Sequence, residues 1–189
     1  MKQIIKTSFI MFVILTVITG LLYPVVVWAA AKVLFPFQAE GSLIKNGTVV
    51  SGSALIAQDF KRPEYFHPRP SAVSYDASAS GGSNMGASSP ALRKIILERA
   101  AKEKEMNPLN TGDVPMEMLT ASSSGLDPEI TVKAALWQAK RVASARGVDE
   151  KVITDAMKKM TAGPLFGFIG PERVNVLKLN RYLDTLKVK

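Results

Sequence analysis

Residues 7–31 read TSFIMFVILTVITGLLYPVVVWAAA, and no charged residue interrupts them between Lys6 and Lys32. As an α-helix rising about 1.5 Å per residue, the stretch would be roughly 37 Å long, which exceeds the roughly 30 Å hydrocarbon core of a bilayer. A helix also satisfies its backbone hydrogen bonds within one segment, as a lipid environment requires. The stretch therefore predicts a membrane anchor over residues 1–34, with the span itself at residues 7–31, followed by a soluble domain over residues 35–189.

A cleaved signal peptide is the alternative explanation of this N-terminus. Ala29 and Ala31 fit a small-residue A-x-A cleavage site. The apolar run of a signal peptide is usually about 7–15 residues long, so the longer run here favours a retained anchor. Lys2 and Lys6 precede the span and only Lys32 follows it closely. By the positive-inside rule, this asymmetry favours a cytoplasmic N-terminus and an extracytoplasmic domain.

Composition narrows the chemistry that the soluble part can carry. The chain contains no cysteine, which excludes disulfides, thiol catalysis and zinc–thiolate sites. The formal net charge is +8, but the basic residues are scattered over several predicted helices and are not gathered with aromatic residues. This distribution argues against nucleic acid and leaves an anionic membrane surface or an acidic partner.

The soluble part combines helix signals with a small amount of strand. Asn46-Gly47 lies between two short apolar runs and predicts a type I′ β-hairpin. Helices are predicted after three capping residues, Ser89, Thr131 and Asp149, and a last helix over residues 177–186. The apolar faces of the middle two helices are predicted to include Leu136 and Val152. The fold class is therefore α+β: a single N-terminal transmembrane helix followed by one helix-rich soluble domain with a small β-sheet or hairpin.

Residues 59–90 show neither a helical nor a strand period and are interrupted by four prolines. The composition suits a flexible linker, but the segment also contains aromatic and charged residues, namely Tyr65, Phe66, His67, Arg69 and Tyr75. Long irregular segments inside compact domains are usually either functional or disordered. We expect an ordered loop.

His67 is the only histidine, so any Ser–His–Asp triad must use it, together with nearby Ser71 and Asp76. The flanking Pro68 and Pro70 do not match the strand–turn–helix setting of a nucleophile elbow. A loop histidine that makes hydrogen bonds or a partner contact is the interpretation we favour. We predict no catalytic residue and no metal site, because one histidine and no cysteine leave too few transition-metal ligands.

Residues 80–86 read SGGSNMG, and such a glycine-rich loop can cradle a phosphate with exposed N–H groups. The loop lacks the lysine of a P-loop and does not visibly follow a strand. Tight turns that need glycine at positive φ are the explanation we prefer. Elsewhere, Gln138 lies mid-helix and belongs either to an interface or to the core, and Arg173 and Asn175 either dock a partner or belong to the surface.

Several spaced motifs, taken together, resemble a known family. They are YFHPRPSA at 65–72, Tyr75-Asp76, SGGSNMG at 80–86, TASSSGLDP at 120–128, Gln138 with RVASARG at 141–147, and RVNVLKLN at 173–180. They resemble the KdpC family, the C subunit of the bacterial Kdp potassium-transporting P-type ATPase, over nearly the whole chain. Three positions depart from the usual pattern: Met85 replaces leucine, Ala87 replaces proline and Ser123 replaces glycine.

The resemblance implies a non-catalytic subunit in the inner membrane, beside the potassium-selective A subunit, the ATP-hydrolysing B subunit and the small F subunit. It implies a catalytic chaperone that raises the ATP affinity of the B subunit, with no firmly bound cofactor and with ATP met only through the complex. The residues expected to contact a partner or nucleotide are His67, Arg69, Ser71, Tyr75, Asp76, Gly81, Gly82, Ser83, Asn84, Gly86, Ser124, Asp127, Gln138, Arg173 and Asn175. The alternative is a regulatory subunit that binds nucleotide directly through residues 80–86. That alternative conflicts with an external domain, because ATP is cytoplasmic.

Overall fold

One continuous helix, α1 (Lys2–Leu34), forms the N-terminus in the computed structural model, which describes residues 1–186. It is long and apolar enough to cross a membrane, and its most apolar window is unburied within the protein. Pro24 does not end the helix. Its ring lacks an N–H and crowds the preceding turn, and the chain responds with a wider π-helical turn at Ile18–Leu22, where the Tyr23 N–H donates to the Ile18 carbonyl. The predicted N-terminal helix is confirmed.

A short helical turn, α2 (Pro36–Ala39), and a two-stranded hairpin follow α1. Strands β1 (Leu43–Asn46) and β2 (Val49–Ser53) pair antiparallel, with Asn46 opposite Val49. The turn is therefore centred on Gly47 and Thr48, one residue later than predicted. Only Gly47 of these residues has a positive φ, of 60°. A glycine at the first central position is typical of a type II′ turn, so the predicted type I′ turn is wrong.

The chain forms two compact units, Met1–Ser53 and the part from Ala54 onward. The predicted boundary between residues 34 and 35 stays a prediction. In the second unit, up to residue 186, four α-helices and a short 3₁₀ helix (Met116–Met118) accompany a small sheet: α3 (Pro90–Met106), α4 (Val132–Arg146), α5 (Glu150–Met160) and α6 (Val176–Thr185). The sheet is antiparallel in the order β3 (Glu129–Thr131), β5 (Arg173–Asn175) and β4 (Thr161–Ala162). The α+β class is confirmed.

Local capping explains where the helices begin. The side chains of Ser89, Thr131, Asp149 and Asn175 each accept a hydrogen bond from an N–H in the first turn of α3, α4, α5 and α6 respectively. Gly147 ends α4 in the left-handed conformation. These contacts confirm the three predicted caps.

The core of the second unit lies between the sheet and α4, α5 and α6. Its largest fully buried side chains include Phe66, Ile130, Ile153, Met157, Leu179 and Leu183. Two predicted core positions are wrong, because Leu136 and Val152 point outward and are 49% and 42% exposed. The neighbouring Ala135 and Ile153 occupy the buried faces instead. The irregular segment 59–90 contributes Phe66 to this core, so the expectation of an ordered loop is confirmed.

Candidate functional site

Two buried side-chain amides hold the irregular segment against the helices. The Phe66 N–H donates to Asn180 Oδ1 (2.8 Å), and Asn180 Nδ2 donates to the Phe66 carbonyl (2.9 Å). Gln138 binds the next residue in the same way, since it accepts from the His67 N–H at 2.8 Å and donates to the His67 carbonyl at 3.0 Å. Each amide takes the place of a neighbouring strand, so two consecutive backbone units are satisfied outside any sheet. We call Gln138 and Asn180 the amide clamp.

Arg141, one turn after Gln138, fixes the chain just before the clamp. Its Nη1 donates to the carbonyls of Pro63 and Tyr65, its Nε to Asn107 Oδ1 (3.1 Å) and its Nη2 to Gln138 Oε1 (2.7 Å). Burial lowers the pKa of Arg141 to about 10, which leaves the side chain cationic at neutral pH. Every nitrogen of the guanidinium has an internal partner, so Arg141 organises the loop and is not a free anion-binding group.

Glu103 is the acidic member of the same network and the buried residue of α3. Its Oε2 accepts from Trp137 Nε1 (3.3 Å) and from Asn107 Nδ2 (3.1 Å). Burial raises the pKa of Glu103, and the hydrogen bond from Trp137 and the charge of Arg141 oppose that rise. The network therefore joins α3 to α4 through polar contacts.

His67 does not form a triad with the serine and the aspartate near it in sequence. Its Nε2 lies 3.2 Å from the Arg62 carbonyl. Ser71 Oγ accepts from the N–H groups of Val73 and Tyr75. Burial and the charge of Arg141 lower the pKa of His67 to about 4, so the ring is neutral at physiological pH. A neutral ring against a backbone carbonyl fits the structural role that the sequence favoured.

The Asp76 side chain forms hydrogen bonds within its own turn. Its Oδ1 accepts from the N–H (2.9 Å) and the hydroxyl (2.7 Å) of Ser78, and these hydrogen bonds lower its pKa. Such a side-chain-to-backbone bond two residues on is an Asx turn, which shapes the loop locally. The carboxylate is exposed, so it remains available to a partner.

A second loop, residues 120–128, packs on the first one. Arg69 Nη1 lies 3.3 Å from Asp127 Oδ2, and both side chains are partly exposed. The Tyr75 hydroxyl donates to the Arg69 carbonyl (2.9 Å), and burial raises the pKa of Tyr75 to about 12, which keeps that donor protonated. The Ser122 N–H donates to the Pro70 carbonyl (3.1 Å). The predicted residues Arg69, Tyr75 and Asp127 are thus brought together.

None of the three glycines in residues 80–86 has a positive φ, which lies instead at Asn84 (52°), so the predicted tight turns with glycine at positive φ are wrong. Gly81 and Gly82 pack against the second loop. The Gly81 N–H donates to the Ser124 carbonyl (2.9 Å). A Cβ on Gly82 would lie 3.2 Å from the Ser123 carbonyl oxygen, and a Cβ on Gly125 would lie 2.9 Å from the Gly81 oxygen. At least one N–H of the proposed phosphate cradle is therefore already bonded within the protein. Ser83, Asn84 and Gly86 lie beyond the packed part and are exposed.

The remaining predicted residues lie at the sheet. Arg173 Nε lies 2.9 Å from Glu129 Oε2 on the neighbouring strand. Asn175 caps α6 through Oδ1 and donates from Nδ2 to the Ala54 carbonyl (2.8 Å). These side chains are half-buried, and the contacts explain them as parts of the domain's own scaffold.

Four further residues hold the loops and helices together but are not among the site residues predicted from the sequence: Asn180, Arg141, Asn107 and Glu103. Asn180 and Arg141 lie within the motifs that carry the family resemblance, which was the available signal. Asn107 and Glu103 lie outside those motifs, and nothing in their local sequence marks them. Over residues 1–186, no group of three His, Cys, Asp or Glu side chains is arranged to hold a metal ion.

Fold and site together define an α+β protein with an N-terminal helix long and apolar enough to cross a membrane, whose polar loop residues are largely bound to its own backbone. A family model described as KdpC, the c chain of the K⁺-transporting ATPase, matches residues 5–185. A potassium-transporting ATPase KdpC subunit from Serratia proteamaculans is 47% identical over 97% of this chain and 98% of its own length. A subunit of the same name from Methylococcus capsulatus is 48% identical over 96% and 97%. The chain belongs to the KdpC family.

Proposed function

We propose that the protein is a non-catalytic subunit of a potassium-transporting P-type ATPase, held in the bacterial inner membrane by α1, and that it assembles and stabilises the complex. The main observation behind the proposal is that most of the polar side chains considered as site residues form hydrogen bonds or ion pairs within the domain. The amide clamp, Arg141 and the Arg69–Asp127 pair all hold the domain's own loops together. Because these polar groups are used inside the domain, the outer surface of the two packed loops suits the binding of a partner protein better than it suits catalysis.

The partners we propose are the channel-like A subunit, the ATP-hydrolysing B subunit and the small F subunit of such a complex. The domain lies outside the cytoplasm in this proposal, with the N-terminus inside. The chain then raises the ATP affinity of the B subunit indirectly, by favouring a conformation of the complex that binds ATP better. Direct binding of nucleotide through residues 80–86 is the weaker candidate, because Gly81 and Gly82 are engaged by Ser123 and Ser124.

The exposed end of the glycine-rich loop tests the docking proposal. Asn84 has a φ of 52° and is exposed, so Asn84→Gly removes the amide and suits the backbone. Met85 is 39% exposed, and Met85→Ala removes its apolar side chain. We expect the double variant to reduce recovery of the other subunits with the tagged chain in mild detergent. It should also raise the ATP concentration that gives half-maximal hydrolysis by the complex.

Leu136→Ala supplies the matched control for this experiment. Leu136 is a similarly exposed apolar residue on α4, outside the two loops. Its variant should leave recovery and ATP dependence unchanged. Normal recovery of the complex with the Asn84→Gly/Met85→Ala chain would contradict docking through this loop. ATP binding by the isolated full-length chain would favour the nucleotide-binding alternative.

A further inference from the structure

A tight apolar hairpin projects from the second unit between β4 and β5. Leu165 and Ile169 pair through two backbone hydrogen bonds of 2.9 Å, and the turn between them holds Phe166 and Phe168. These phenylalanines are 80% and 78% exposed, while Leu165 and Ile169 are about half exposed, at 53% and 49%. Four large apolar side chains presented together on one exposed turn mark an interaction site. We call residues 165–169 the aromatic tip.

The aromatic tip has few polar groups that would oppose its transfer from water into an apolar medium. No charged residue occurs from residue 161 to residue 171, and Thr161 has the only polar side chain in that range. The N–H groups of Leu165, Gly167, Phe168 and Ile169 all donate to carbonyls within the hairpin. Since an unpaired backbone group is costly in hydrocarbon, this internal pairing removes a large part of the penalty for leaving water.

We infer that the aromatic tip dips into the bilayer interface and gives the domain a second membrane contact besides α1. The core of a protein interface is surrounded by a polar rim that forms hydrogen bonds, whereas residues 163–171 around the tip contain only Gly, Pro, Leu, Phe and Ile. Lys158 precedes the tip in sequence and is exposed at the end of α5, and a lysine close in sequence to an apolar tip suits anionic headgroups. The covalent link to α1 makes even a weak contact effective, because the domain cannot diffuse away from the membrane.

Single cysteines test this contact cleanly, since the chain has none of its own. The full-length Phe168→Cys chain would be labelled with a nitroxide and reconstituted in vesicles of phosphatidylethanolamine and phosphatidylglycerol. Accessibility to oxygen, which concentrates in lipid, would be compared with accessibility to a water-soluble nickel chelate. Ser144→Cys gives an exposed reference on α4, and Val26→Cys reports insertion of the anchor.

We expect oxygen to be favoured at positions 26 and 168 and the nickel chelate at position 144. Adding Phe166→Gly, which suits the φ of 53° at that position, should shift position 168 toward the nickel chelate. Equal preference for the nickel chelate at 168 and 144 would overturn the inference. So would a label at 168 that is open to water in the chain alone and shielded from both reagents only in the complete complex, which would mean that a partner subunit covers the tip. A water-exposed label at position 26 would instead refute the proposed anchor, and the inference with it.

Discussion

Gln138 is the residue on which the position of the His67 segment depends most directly. Gln138→Met keeps the length of the side chain but leaves the His67 N–H and carbonyl and one Arg141 donor without their partner. A buried polar group left unpaired costs about 1–3 kcal/mol, so we expect the free energy of unfolding to fall by about 2–4 kcal/mol. The measurement is denaturant unfolding of the full chain in detergent. Gln38→Met, at an exposed glutamine in α2, should change little, and equal losses in the two variants would contradict the role of the clamp.

His67 makes the stability of the domain depend on pH in a defined direction. Burial and Arg141 lower its pKa to about 4 in the folded chain, whereas an unfolded histidine has a pKa of about 6.5. Between these values the unfolded chain binds more protons, so acidification favours unfolding, by up to about 1.4 kcal/mol per pH unit. His67→Gln should therefore show a shallower fall in the free energy of unfolding from pH 6.5 to pH 4.5 than the unsubstituted chain. Identical slopes would show that His67 is not the titrating group.

The contact between the two packed loops, residues 69–82 and 120–128, is sensitive to any side-chain atom added at Gly125. Gly125 has a φ of 69°, and a Cβ there would lie 2.6 Å from a methyl group of Val73. Gly147 has nearly the same φ, of 66°, but open space around it. Gly147→Ala should cost about 1–2 kcal/mol for the backbone alone. Gly125→Ala should cost about 1–3 kcal/mol more for overpacking, as measured by denaturant unfolding. Equal costs would mean that the loops separate easily.

The elements differ in how far the sequence predicts them. The beginnings of α3, α4 and α5 follow from Ser89, Thr131 and Asp149, because a cap acts within one turn. The three-stranded sheet and the amide clamp do not follow from local pattern. The strands of the sheet are only two or three residues long, and β3 pairs with β5 some forty residues later in the chain. Gln138 is 71 residues from His67, and Asn180 is 114 residues from Phe66. The family motifs contain these residues but not their pairing, which only the folded chain provides.

The two units of the molecule differ in where their apolar residues lie. Apolar residues cover α1 and are exposed there. The second unit has an apolar core packed against α4, α5 and α6 and exposes the aromatic tip. At the end of α1, Lys32 lies over the Trp28 ring and pairs with Glu40, a combination typical of a membrane–water interface. One apolar helix cannot enclose a pore, so a role in transport requires other chains.

Topology is the prediction at this scale, because it decides between indirect and direct effects on ATP. With Lys2 and Lys6 before the span and Lys32 after it, we expect a cytoplasmic N-terminus. In intact cells, a membrane-impermeant thiol reagent should label Ser144→Cys, which is exposed on α4, and should label Gln3→Cys only after lysis. The reverse pattern would place the domain in the cytoplasm and make residues 80–86 the first place to look for bound nucleotide. Labelling at Ser144 alone would mean that any effect of the domain on the use of cytoplasmic ATP passes through conformational coupling across the membrane.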